Sequence, residues 1–139
     1  MSRRKHTQIS DATRFEERFL DIDHWPHGWK VEPRDLRAGE RMLEIFRPFL
    51  YELLGQRLSP KTLHRHRNHL GELGGEVIRR IHLQPQLRRR DMLPVLLALL
   101  DDEGGPLVYP YGAEPDQRAF DATCRKLRQF LIATGYSPP

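Results

Sequence analysis

The stretch LSPKTLHRHRNHLGELGGEVIRRI, residues 58–81, constrains this chain more than any other. Ser59 is suited to cap a helix, because its hydroxyl can accept from the first unpaired backbone N–H groups. Pro60 follows at the first helical position, where its missing N–H costs nothing. Leu63, Leu70, Leu73, Val77 and Ile81 then recur at helical spacing. At roughly 100° per residue these five share one side. Lys61, Arg65, Asn68, Glu72 and Arg79 fall on the other, flanked by His64. The spacing therefore predicts an amphipathic helix with one face for a core and a basic opposite face. Gly74-Gly75 weakens it by about 1 kcal/mol per glycine relative to alanine, so a kink or a break is expected there.

The charge is local. Residues 57–90 carry nine Lys or Arg against two Glu, a net of +7. The first 56 residues carry ten charges of each sign, and the last 49 carry four positive against seven negative. The net +4 of the chain thus comes from its middle third, and such asymmetry says more about partners than the overall balance does. A concentrated basic face attracts polyanions through phosphate contacts and counterion release, although many charge runs are only solvated faces. Arg88-Arg89-Arg90 forms a second basic site just before a short apolar helix, where phosphate contacts would position the protein without reading sequence.

The words Phe49-Leu50-Tyr51-Glu52-Leu53-Leu54-Gly55 and Leu58-Ser59-Pro60-Lys61-Thr62-Leu63-His64-Arg65-His66 resemble the N-terminal core-binding domain of tyrosine recombinases, the phage-integrase family. The resemblance covers about 40 of the 139 residues. It implies a small all-helical bundle that clamps DNA. The same words also resemble the helix-turn-helix of response-regulator output domains. There the cap follows a Leu-Gly after one turn, whereas here Gln56, Arg57 and Leu58 separate Gly55 from Ser59, so the recombinase resemblance fits better. Both imply that Lys61, His64, Arg65 and Asn68 face DNA. The resemblance stops at the core-binding part, because the recombinase catalytic domain is far longer than the 49 residues after Arg90. His64 and Arg67 match its His-x-x-Arg box, but the partner arginines and the nucleophilic tyrosine are not placed as in that family. A stand-alone arm or a remnant, not an enzyme, is what the resemblance implies.

Length fits one domain, with a disordered basic tail expected over 1–10 and a single helical domain over 11–135. The longest apolar run, 92–100, contains Pro94 and falls well short of the roughly 20 residues that cross a membrane. The opening Met1-Ser2-Arg3-Arg4-Lys5 leads into polar residues, unlike a signal peptide. The single cysteine, Cys124, excludes an intrachain disulfide and fits a reducing cytoplasm.

Further helices are expected over 11–20, over 34–54 with a kink or split near Pro48, over 91–100 at the centre of the core, and from an Asp116 cap to about residue 133. Residues 21–33 and 101–115 read as loops, with a brief strand over 107–109. Trp25 and Trp29 are expected to pin their loop to the core, with base stacking as the alternative. His24 and His27 lack further ligands nearby, and His64, His66, His69 and His82 are not expected to share a face, so no metal and no cofactor is predicted. Cys124 lies on an inner face without a base to activate it. Asp101-Asp102-Glu103 reads as a solvated turn.

The expectation is an all-α bundle of about five helices, similar to the recombinase core-binding domain, acting as a non-enzymatic DNA-binding protein. Arg57, Lys61, His64, Arg65, Asn68 and Arg79 form the main face, and Arg88, Arg89 and Arg90 add phosphate contacts. Arg65 suits guanine and Asn68 suits adenine. DNA is favoured over RNA as the partner. The alternative is a protein-interaction module, such as an accessory protein of a phage or mobile element, whose basic face meets an acidic partner.

Overall fold

A computed structural model of the chain describes Phe19, residues 21–107 and residues 114–135. Among these the protein is all-helical, with five α-helices and no strand. They are α1 (Trp25–Trp29), α2 (Leu36–Leu54), α3 (Pro60–Leu83), α4 (Met92–Leu99) and α5 (Glu114–Ala133). Three 3-10 turns, Ile22–His24, Pro33–Asp35 and Pro85–Arg89, join them. No described helix is long and apolar enough to cross a membrane.

The start of α3 is dictated by its sequence. The Ser59 hydroxyl accepts from the Thr62 backbone N–H at 3.2 Å, and Pro60 opens the helix. Leu63, Leu70, Leu73, Val77 and Ile81 are all buried, as the stripe predicts. They pack against α2, through Met42, Phe46, Leu50 and Leu53, and against α5, through Phe120, Leu127 and Leu131. Residues 55–59 reverse the chain between α2 and α3, and Asp35, just before α2, touches His82 near the end of α3. The two long helices therefore run antiparallel.

The glycine pair breaks nothing: α3 is one helix of 24 residues. A Cβ on Gly74 would lie 2.2 Å from Cζ2 of Trp29, so the glycine is the floor of a notch that the indole fills. The Trp29 Nε1–H donates to the Gly71 carbonyl at 2.8 Å, and its ring meets Phe46 edge-on. Gly39 on α2 opens the same seam from the other side, where a Cβ would come within 3.0 Å of Pro26. Burying this large aromatic surface offsets the helix-propensity cost of the glycines. Residues 21–33 are accordingly not a plain loop, because Pro26 in the first turn and the docked tryptophans shape residues 25–29 into α1.

Two other expectations change. Helix α2 is not split at Pro48, which sits on the solvent side where the carbonyl it leaves unbonded can be hydrated. Helix α4 is not the centre of the core. It buries Met92, Val95, Leu96 and Leu97, but Ala98 is exposed and Leu93 and Leu99 are half-buried, so it covers one edge of α2. Helix α5 begins at Glu114, two residues before the expected Asp116 cap, and buries Phe120, Cys124, Leu127 and Leu131. Gly135, with φ at +94°, follows its end. The expected helix over 11–20 lies outside the described residues except for Phe19, which is helical and buried. The expected strand over 107–109 falls outside them too, save Leu107, which is exposed and in no strand.

Candidate nucleic-acid interface

The basic residues of the middle third do not form one surface. Lys61, His64, Arg65 and Asn68 are exposed on the first turns of α3, as the helical register predicts. Arg57 is exposed in the preceding turn at φ +56°, a left-handed conformation that costs a non-glycine residue about 1–2 kcal/mol. Further along the same helix the pattern fails. The Arg79 guanidinium lies on the Glu76 carboxylate, with Nε at 3.1 and 3.0 Å from its two oxygens, and Arg80 Nε reaches the same group at 3.3 Å. These arginines hold the Glu76 carboxyl below its ordinary range despite its partial burial.

Arg88 is turned inward. Its guanidinium donates to Asp35 Oδ1 at 3.2 Å and to Glu32 Oε1 at 3.2 Å, and its side chain is only 15 % exposed. Asp35 is fully buried and accepts from four sources: the backbone N–H groups of Val31 and Glu32, His82 Nε2 at 2.8 Å, and Arg88. Burial alone would raise the Asp35 carboxyl. The hydrogen bonds from His82, from the two backbone amides and from Arg88 outweigh it and bring it down to about 2. The carboxylate is therefore ionised, and His82 must be the donor. Glu32, Asp35 and His82 offer ligand atoms within 4.8 Å of one another, the one such group among the described residues. Arg88 already supplies a fixed cation to both of its carboxylates.

This knot fixes the turn Pro85–Arg89 against the first turns of α2, and there a second basic surface arises. Arg37 and Arg41 of α2, Arg89 of the turn and Arg90 beside it line a groove of about 600 Å³, with Ile45, Met92 and Leu93 among its apolar walls and the carboxylates of Glu44 and Asp91 also in its lining. Arg41 makes a long contact of 3.4 Å with Glu44. Arg37, Arg89 and Arg90 make no ion pair or side-chain hydrogen bond with a described residue. Around the turn, Arg34, Arg88 and Arg89 line an adjoining hollow with Pro85 and Gln86. The sequence points to Arg89 and Arg90 as phosphate ligands, but not to Arg37 and Arg41. These two stand in a region with equal numbers of both charges, so a charge count hides them. Their i, i+4 spacing on the outer face of α2 is the signal that could have found them.

The four histidines of α3 do not share one face: His64 is exposed and His82 lies on Asp35. His66 and His69 do share a face, both buried against α5, and both place Nδ1 on the Thr123 hydroxyl, at 2.7 and 2.8 Å. Three residues advance a helix by about 300°, which leaves the two rings only about 60° apart. The hydroxyl has one hydrogen to donate and two lone pairs to accept with, so it can bond both rings at once. Burial, then the nearby Lys126, His69 and Arg65, pushes His66 down to about 4. Burial likewise lowers His69, against the pull of Glu72. This is a neutral structural pair at the α3–α5 seam.

No nucleophile emerges from the remaining candidates. Burial, with Asp121 and Glu72 nearby, pushes the Cys124 thiol up to about 12. His24 and His27 are exposed, and no third ligand group joins them among the described residues. Trp25 and Trp29, with centroids 5.5 Å apart, are packed on α3 and not presented outward as stacking platforms or partner anchors. The Asp101 carboxylate accepts from the backbone N–H groups of Glu103 and Gly104, forming a closed local turn. No family model, curated protein or solved structure matches the chain.

Proposed function

We propose that the protein is a non-enzymatic DNA-binding protein, a helical bundle of the kind found in the core-binding domain of tyrosine recombinases, working in the cytoplasm without metal or cofactor. The observation that carries this reading is the groove in which Arg37, Arg41, Arg89 and Arg90 converge from separate segments of the chain. Arginine is the residue best matched to phosphate, since its planar fork donates two parallel hydrogen bonds and never deprotonates. Four of them around one concavity, three without an acidic partner among the described residues, suit a stretch of phosphate backbone. The apolar walls at Ile45, Met92 and Leu93 suit the sugar edges between phosphates. Lys61, His64, Arg65 and Asn68 supply further contacts, with Arg65 and Asn68 able to reach base edges in a major groove.

A salt titration of binding to a random duplex, followed by fluorescence anisotropy, tests the reading. The protein should bind at low salt and lose affinity steeply as salt rises. The variant R37A/R41A/R89A/R90A should bind roughly tenfold more weakly or worse, with a shallower log–log slope. Unchanged affinity and slope in that variant would overturn the groove as the phosphate site.

A further inference from the structure

Among the described residues, two exposed cationic surfaces lie at opposite ends of the α2–α3 pair. The arginine groove sits where α2 begins, and α2 begins beside the end of α3, because Asp35 meets His82. Lys61 and Arg65 sit on the first turns of α3, 21 and 17 residues before His82. At 1.5 Å of rise per residue they are about 32 and 26 Å from that end. No residue of α3 lines the groove, and the outer stripe of α3 points away from the apolar side that packs on α2 and α5. Carboxylates interrupt the paths between the two ends. On α3 these are Glu72 and Glu76, the latter paired with Arg79 and Arg80, and on α2 it is Glu52, since Glu44 belongs to the groove itself. A phosphate backbone running along either helix from one cationic end to the other would have to cross like charges.

Resting on the DNA-binding reading above, we infer that Arg57, Lys61, His64, Arg65 and Asn68 form a second, separate duplex-binding site, so that one copy of the protein joins two DNA segments. The groove is the stronger of the two sites, being concave and lined by more arginines. The convex face of α3 is the weaker, and its Asn68 accepts from Arg67 at 2.9 Å. The linked activity is bridging, in which the duplexes are held about five turns of α3 apart and no contact between protein copies is required.

The test mixes donor-labelled and acceptor-labelled short duplexes with the full chain and reads energy transfer, with anisotropy of one labelled duplex measured in parallel. Transfer should rise and then fall as protein is added, because excess protein gives each duplex its own copy. K61A/R65A and R37A/R89A should each weaken duplex binding by anisotropy, R37A/R89A the more, and each should lose transfer at protein concentrations where the remaining site is still occupied. Sedimentation of the bridged complex should give one chain to two duplexes. Anisotropy without transfer in the unaltered protein would overturn the bridge and leave the DNA-binding reading standing. Full transfer in K61A/R65A, or two chains in the bridged complex, would overturn the second site. No anisotropy change at low salt would remove the DNA-binding reading and the bridge together.

Discussion

Two buried polar clusters tie the helices together, and they manage charge in opposite ways. At one end, Asp35 keeps a full negative charge out of water by surrounding it with Arg88, His82 and two backbone amides. At the α3–α5 seam, burial keeps His66 and His69 neutral while both rings bond the one Thr123 hydroxyl. The first cluster joins residues of opposite charge that are about 50 positions apart, and so sets where the turn carrying Arg89 and Arg90 meets α2. The second carries no net charge and only locks two helices. A buried charge can thus organise a surface site, whereas a buried neutral pair organises packing and is vulnerable to protonation.

The largest expected effect comes from breaking the charged cluster. Asp35→Ala leaves Arg88 and His82 without their buried partner, and removing one member of such a group costs about 3–5 kcal/mol. Urea denaturation should register that loss. The groove should loosen as well, with weaker duplex binding in any residual folded protein. A change below about 1 kcal/mol would mean that the Asp35 cluster is not what holds the turn.

Acid should separate the two clusters. His66 titrates near 6.5 when unfolded and at about 4 when folded, so protons favour the unfolded chain between those values. Its contribution is intact above pH about 6.5 and is lost as pH falls towards about 4, on the order of 3 kcal/mol. His69 is shifted the same way and adds to the loss. Asp35 has a lowered carboxyl, so its stabilisation persists above its ordinary value of 3.8 and is lost only as pH falls further towards about 2. Denaturation midpoints measured from pH 7 to pH 4 should therefore fall through the histidine window, and His66→Gln should flatten the fall. A flat profile in the unaltered protein would contradict a buried neutral pair.

The smallest effect sharpens the neutral side of the comparison. Thr123→Val keeps shape but removes the hydroxyl, leaving both Nδ1 atoms without it, at a cost of about 1–3 kcal/mol. Adding Asp35→Ala should give nearly the sum of the single losses, because the clusters sit in different seams and share no residue. Marked non-additivity would show that the two clusters are coupled through α3.

The helical architecture is legible wherever periodicity and capping act locally. Ser59, Pro60 and the leucine stripe of α3 read directly, as does the inner face of α5. What escapes depends on partners distant in sequence. Gly74 reads as a weak point because its cost is intrinsic, while the gain comes from an indole 45 positions earlier. A helix of five residues, such as α1, is too short to show a period. Of the candidate site, Lys61, His64, Arg65 and Asn68 are legible as exposed residues on one helix face. Arg79 and Arg88 are visible as charges; the Glu76 partner of Arg79 is one turn away on the same helix, whereas the Glu32 and Asp35 partners of Arg88 are distant in sequence. Arg37 and Arg41 are lost in a segment whose charges cancel.

The notch in α3 has a spectroscopic consequence. The chain has two tryptophans, and both sit where α1 lies on the glycines of α3. Indole emission from this protein is therefore a local signal. It reports the wetting of one seam, from a ring edge-on to Phe46 and bonded to a helix carbonyl, to a ring in water. An unfolding curve read from indole emission tracks the undocking of α1, and a probe on α5 is needed to learn whether the rest of the bundle opens with it.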